Sequence, residues 1–273
     1  MALWAENLTV GYGPRIVLRE VAYEAQAGEF AIIVGPNGSG KTTLMRALTG
    51  DLPYRGSARL NGRPIGDYRV WQLAAIRAVL PQDTQLAFPF TVGEVVRIGL
   101  TAGQGRGSPA RIEADSVLEA LDRVDLAGFG GRFYQELSGG ERQRVQLARV
   151  LCQIGEPVGE DGPRWLFLDE PVSSLDISHQ LIIMELARDF ARAGGGVVAV
   201  MHDLNLTAMF ADRVTVIGEG AVAATGAPEA VFRDEILSAV FGCRLRVGAV
   251  PDSHTFVLPQ SASIGRSGTA AAV

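Results

Sequence analysis

Short, wholly apolar runs punctuate this chain. Phe30-Ala31-Ile32-Ile33-Val34, Trp165-Leu166-Phe167-Leu168 and Val197-Val198-Ala199-Val200-Met201 show no alternation, and the last two end in polar residues. Such runs suit strands buried on both faces of a parallel sheet, where no solvent face imposes a period of two. Ligands of these sheets gather at the strands' carboxyl ends, where the polar residues stand. From Leu3 to Leu60 the chain reads as short strands broken by glycine turns at Gly11, Gly13, Gly28 and Gly56. Between Trp71 and Ala120 the period becomes helical. Ala114, Val117, Leu118 and Leu121 fall at i, i+3, i+4 and i+7, predicting a helix over 113–124. A further helix is expected near Ser138, with Val145, Ala148, Leu151 and Cys152 on one face. Gly103 to Pro109 and Gly155 to Pro163 read as exposed loops. The pattern therefore predicts a helical insert interrupting an α/β core. Farther on, Pro228 to Phe232 reads as a short helix start and Phe241 to Val257 as a strand pair. After Gln260 periodicity is lost and a disordered tail is expected.

The linker after the first apolar run changes the picture most. Gly35-Pro36-Asn37-Gly38-Ser39-Gly40-Lys41-Thr42 fits G-x-x-x-x-G-K-[ST], and helix-like Thr43-Leu44-Met45-Arg46-Ala47-Leu48 follows. Glycines let successive N–H groups curl around one anion, and the new helix adds its positive end. Lys41 is expected to reach the β- and γ-phosphates of ATP, and the Thr42 hydroxyl to ligate Mg²⁺. A second candidate anion site is Leu137-Ser138-Gly139-Gly140-Glu141-Arg142-Gln143-Arg144. Ser138 and Glu141 have capping-box spacing, which alone is a sufficient structural account. Two adjacent glycines at the helix start would also expose N–H groups to an outside anion. With one phosphate loop already present, that anion suggests a phosphate presented by another subunit.

Composition sets bounds. The chain has 273 residues, 47% apolar and 20% charged, ordinary for a globular protein with an ample core. A net charge of −5 leaves no basic footprint for nucleic acid. No stretch approaches the roughly 18 apolar residues of a membrane span. The N-terminus has no basic region followed by an apolar core, so no secretory signal is expected. Cys152 and Cys243 are too few for a disulfide framework and read as reduced, structural residues of a cytosolic protein.

With both glycine-rich motifs in place, the sequence resembles the ATP-binding cassette (ABC) ATPases, whose signature LSGGQ here reads LSGGE. Other family elements follow in order from residue 3 to about 226. Tyr12 matches the aromatic that stacks on adenine, and Gln82 the Q-loop. Trp165-Leu166-Phe167-Leu168-Asp169-Glu170 matches Walker B, Ser173-Ser174-Leu175-Asp176 the D-loop, and His202 the switch histidine. The resemblance implies a P-loop NTPase (RecA-like) α/β core with an antiparallel β-subdomain and an inserted α-helical subdomain. It divides the chain into a first core part with Walker A (1–82), the helical subdomain with the signature (83–156) and a second core part (157–226). A C-terminal extension (227–260) and the tail (261–273) follow.

The same resemblance implies the roles. Gly35 to Thr43 would hold ATP, with Mg²⁺ on Thr42 and, mostly through its water shell, on Asp169, while Gln82 would touch Mg²⁺ or the attacking water and link the catalytic site to the helical insert. Glu170 would polarise the attacking water, and His202 would sense the γ-phosphate. Ser138, Gly139, Gly140 and Glu141 would act in trans across a head-to-tail homodimer, with Asp176 communicating between the sites. Having no span, such a subunit would sit peripherally on the cytoplasmic face of the bacterial inner membrane. There it would drive a separate permease dimer and, indirectly, a periplasmic binding protein.

Phe88 and Phe90 either meet that permease or pack beneath the helical insert. Leu80-Pro81-Gln82 and Phe88-Pro89-Phe90-Thr91-Val92-Gly93-Glu94-Val95-Val96 look like the haem (hemin) importer subunits, within the iron-siderophore and vitamin B12 branch. Gly99-Leu100-Thr101-Ala102 departs from that subgroup's Gly-Arg then Pro-His pattern. Ferric-siderophore or cobalamin import is the alternative cargo, and a soluble cluster-assembly ATPase the alternative class. His179 and His202 are not expected to ligate haem.

Overall fold

The computed structural model describes residues 1–82, 84, 86, 88–103, 110–250, 253 and 255–262. In chain order, β1 (Ala2–Tyr12) and β2 (Arg15–Gln26) form a hairpin, followed by β3 (Phe30–Val34) and α1 (Lys41–Leu48). Then come β4 (Arg55–Leu60), β5 (Arg63–Pro64), α2 (Val70–Ile76) and β6 (Arg77–Leu80). The helical portion comprises α3 (Val92–Gly103), α4 (Ala110–Arg123) and α5 (Gly139–Ile154). A small hairpin, β7 (Val158–Gly159) and β8 (Gly162–Pro163), leads to β9 (Trp165–Asp169), α6 (Ile177–Arg192), β10 (Gly196–Val200) and α7 (Leu204–Phe210). The chain continues through β11 (Arg213–Gly218), β12 (Ala221–Gly226), α8 (Pro228–Val231) and α9 (Asp234–Phe241).

The continuous apolar runs became β3, β9 and β10, every residue of which is buried. They sit in a six-stranded sheet of order β12-β11-β3-β10-β9-β6, parallel except for the β11–β12 hairpin. Side chains alternate between its two faces. Phe30, Ile32, Leu166, Leu168, Val197 and Ala199 join the core under the helices. Ala31, Ile33, Trp165, Phe167, Val198 and Val200 join the core shared with α1 and the second sheet. Truncating a fully buried side chain such as Phe167 to alanine would cost about 3–5 kcal/mol. The second sheet, β2-β1-β4-β5, is antiparallel and covers that face. The expected α/β core with its β-subdomain and helical insert is therefore present.

Several expectations need correction. Gly11 and Gly56 lie within β1 and β4 rather than in turns. A Cβ on Gly11 would stand 2.4 Å from the Arg15 carbonyl oxygen, so glycine permits close strand approach there. The helical stretch from Trp71 is broken by β6, which pairs with β9. In α4, Leu118 is exposed; the buried face is Val117, Ala120 and Leu121, continued by Val124 just past the helix end, three residues on from the expected register. The segment 155–163 holds the β7–β8 hairpin, with Pro163 buried.

No strand pair forms in the described part of 241–257. Phe241 ends α9, Gly242 turns left-handed at φ 69°, and the following loop folds back on α9. There Ser238 Oγ accepts from Leu245 N at 2.9 Å and Asp234 Oδ1 from Val247 N at 2.7 Å. Cys152 is buried as expected, but Cys243 is exposed and so packs in no core. The expected loop beyond Gly103 (104–109), Asp83, Gln85, Ala87 and the tail from 263 lie outside the described residues.

Candidate nucleotide site

The site lies where β3, β9 and β10 end. After β3 the chain turns through Gly35 to Gly40 and enters α1. Gly40 is the N-cap at φ 104°, a left-handed conformation that favours glycine, and it presses on Leu18, whose Cδ2 would be 2.6 Å from any Cβ. The turn aims the N-terminus of α1 into an open cleft of about 1020 Å³. Tyr12, Asn37, Gly38, Gly40, Lys41, Thr42, Thr43, Gln82, Glu170 and His202 all line that cleft. Residues 190 positions apart in sequence thus meet around one volume.

Lys41 is buried, and its Nζ donates to the carbonyls of Gly35 at 2.9 Å and Pro36 at 3.0 Å. Burial pushes its pKa below the usual lysine value, opposed by the nearby Glu170 and Asp169 carboxylates. Ser39 is also buried, and its Oγ has no hydrogen-bond partner. An orphaned hydroxyl and a desolvated ammonium in one loop fit an incoming anion. At the end of β9, Asp169 Oδ1 accepts from Thr42 Oγ1 at 3.2 Å. Burial raises the Asp169 pKa, with the Thr42 hydrogen bond opposing. Among the described residues, no three His, Cys, Asp or Glu side chains converge as a metal cluster. Thr42 and Asp169 supply two adjacent hard oxygens, a donor set that fits Mg²⁺ completed by phosphate and water.

Glu170 follows β9 at φ 52°, and its N–H donates to Val200 O at 3.0 Å. Its Oε1 lies 2.5 Å from His202 Nε2. Tyr12, 46% exposed at the end of β1, lines the cleft and accepts a 3.4 Å hydrogen bond from Arg46 Nη1. Gln82 is exposed at the mouth.

Ser138, Gly139, Gly140 and Glu141 do not line this cleft. They open α5, where the expected capping box forms: Ser138 Oγ accepts from Glu141 N at 3.3 Å, and Glu141 Oε2 accepts from Ser138 N at 2.8 Å. The Ser138 hydroxyl also donates to Glu141 Oε2 at 2.7 Å, and this bond, with the one from Ser138 N, holds the Glu141 carboxyl below its usual pKa. Asp176 caps α6, accepting from His179 N at 3.0 Å and Ser178 Oγ at 2.8 Å. Phe88 is 68% exposed, whereas Phe90 is half-buried against the helical core. The two rings meet edge to face at 6.4 Å. The packing alternative therefore describes Phe90 and not Phe88.

Two cleft residues, Arg15 and Val17, went unnoticed in the sequence. They sit on the β2 side of the hairpin, and only the pairing of Tyr12 with Arg15 in register brings them near.

Residues 18–173 match the profile of the ABC transporter family. The chain is 57% identical over 263 residues to the hemin import ATP-binding protein HmuV of Ruegeria sp. (strain TM1040), covering 96% of this chain and 99% of that one. It is likewise 57% identical to the HmuV of Rhizobium meliloti (strain 1021) over 95% of this chain and 99% of that one. Among solved structures, the dimeric MJ0796, a bacterial ABC transporter cassette, superposes with a TM-score of 0.73 at 26% identity, covering 83% of this chain and 98% of that one. CbiO1 of Clostridium perfringens, part of the ABC transporter complex cbiONQ, gives 0.71 at 27% identity, covering 87% and 92%. With identity running nearly end to end, and with the fold and cleft that accompany it, the chain belongs to the family of ABC transporter ATPases.

Proposed function

We propose that this chain is the ATP-hydrolysing subunit of a hemin importer, working as a homodimer beneath a separate permease dimer at the cytoplasmic face of the inner membrane. The observation that carries the cargo is the near-full-length identity with the hemin import proteins. No residue here need touch hemin, because cargo choice belongs to the permease and a periplasmic binding protein. Among the described residues no helix is long and apolar enough to cross a membrane, so the work must be passed to a partner. The exposed Phe88 ring is the candidate contact.

The geometry supports an in-line hydrolysis in which the protein supplies placement and electrostatics. Tyr12 stacks on the adenine. The amides of Gly38 to Thr43 cradle the phosphates. Lys41 exchanges its two carbonyl acceptors for phosphate oxygens, a stronger charge-assisted partner. Bound Mg²⁺ would neutralise charge on the β- and γ-phosphates, with Thr42, Asp169 and Gln82 as the residues to hold it. Glu170 accepts the proton of the attacking water, and His202 fixes the carboxylate and contacts the γ-phosphate. Ser138, Gly139, Gly140 and Glu141 of a second copy close the site, and Asp176 carries the signal between sites.

Co-purification from detergent-solubilised membranes, followed by vesicle uptake, tests this reading. ATP-dependent hemin uptake by the recovered complex is expected. Recovery with a soluble partner alone, or uptake of ferric siderophore or cobalamin without hemin, would overturn it.

A further inference from the structure

Gln143 lies in α5, five residues beyond Ser138, and reaches across to the loop that follows β9. Its Nε2 donates to the main-chain carbonyl of Glu170 at 2.8 Å, and its Oε1 accepts from Ser174 Oγ. One amide therefore engages both the last residue of Walker B and the D-loop. The Glu170 carbonyl also accepts from Ser173 Oγ at 3.2 Å. This peptide needs restraint, because Glu170 holds φ 52°, a left-handed conformation that is strained in a residue with a Cβ. Relaxing it would turn the carbonyl away from Gln143 and swing the carboxylate away from His202 Nε2. The packing is tight on the same side: a Cβ on Gly140 would lie 3.2 Å from Ser174 O and 3.1 Å from Leu175 Cδ2.

We propose that Gln143 is a positioning residue for hydrolysis: it locks the Glu170 main chain in its left-handed conformation and so ties the aim of that carboxylate to the placement of α5. The consequence is a link between two sites. The N-terminus of α5 carries Ser138 to Glu141, the surface offered to nucleotide on a second copy. Gln143 rides on the next turn of the same helix. A shift of α5 driven by the second copy's nucleotide thus reaches Glu170 of this chain through one side chain. The inference rests on the reading of Glu170 as the group that polarises water.

Steady-state hydrolysis by the full-length chain tests it, with Glu170→Gln as reference. Gln143→Leu removes both hydrogen bonds, Gln143→Glu keeps only the acceptor for Ser174, and Ser174→Ala leaves the donor to Glu170 intact. Both Gln143 variants should lower kcat about 10–100-fold, the scale of a misaimed catalytic group, with KM for ATP within about twofold and a cooperative thermal melt retained. Ser174→Ala should retain at least about half the activity. A kcat within about twofold of the unmodified chain in both Gln143 variants, or a raised KM at unchanged kcat, overturns the proposal while Glu170→Gln is inactive. Near-normal hydrolysis by Glu170→Gln removes the underlying reading, and the proposal with it.

Discussion

His202 Nε2 and Glu170 Oε1 stand 2.5 Å apart at the carboxyl edge of the sheet. The contact follows from register: Val200 of β10 pairs with Asp169 of β9, so Glu170, one residue on, and His202, two residues on, leave the sheet side by side. The imidazole is 40% exposed on its side chain and the carboxylate 13%, so the pair sits at the wall of the cleft with the histidine outward.

That pairing makes the first prediction specific. Glu170→Gln keeps the shape and the contact with His202 but lacks a base. Turnover should fall at least about 100-fold, the low end of what a positioned base supplies, while ATP affinity stays within about twofold. Phosphate release and equilibrium ATP binding measure the two. Hydrolysis near the unmodified rate would show that another group takes the proton.

Asp169 yields a prediction in which activity and stability move oppositely. Burial raises its folded pKa above the unfolded value, so stability from this group is present at low pH and lost as pH rises through the folded pKa. At neutral pH the buried carboxylate therefore destabilises the nucleotide-free chain. Asp169→Asn retains an acceptor for Thr42 and removes the charge. Its Tm without nucleotide should rise at pH 7, while Mg²⁺-dependent hydrolysis is lost. An unchanged or lower Tm would contradict the desolvation account.

Much of this cleft was legible because four contributors follow the wholly apolar runs: Gly35 after Val34, Asp169 and Glu170 after Leu168, His202 after Met201. Wholly buried strands are read from hydrophobicity alone, and their ends mark the ligand edge. Features set by tertiary contact were not legible. β6 has only four residues, and pairing with β9 makes it a strand within a helical stretch. The Gln143 bond to Glu170 joins positions 27 apart whose proximity depends on how α5 crosses the sheet. After Phe241 the expected strand pair is absent from the described residues, because Ser238 and Asp234 capture the Leu245 and Val247 N–H groups that a ladder would use.

Asp176 carries a pH prediction. Hydrogen bonds from His179 N, Ser178 Oγ and the His179 ring hold its pKa down, from 3.8 to about 2. A depressed carboxylate stabilises above its unfolded pKa, and the contribution fades as pH falls through the folded value. Asp176→Ala removes the cap of α6 and should lower Tm by about 2–4 °C at pH 7. The gap to the unmodified chain should narrow between pH 4 and 2, measured by thermal melts across that range. A gap independent of pH would mean the cap acts without its charge.

Ser138→Arg tests whether the start of α5 works in trans. Ser138 is exposed and outside the cleft of its own chain, so an arginine there touches no nucleotide bound in cis. Losing the capping box costs about 1 kcal/mol of helix stability, which a chain with this core tolerates. ATP binding by the monomer should stay within about twofold, and hydrolysis should fall at least about 100-fold, comparable to loss of the strongest electrostatic contacts to a transition state. Combined with Glu170→Gln, the substitution separates assembly from chemistry. Glu170→Gln alone should form an ATP-dependent dimer by light scattering. Glu170→Gln/Ser138→Arg should remain monomeric at the same ATP concentration, because the long cation occupies the volume meant for the second copy's γ-phosphate. An undiminished dimer, or loss of ATP binding by the monomer, would place Ser138 outside the shared site.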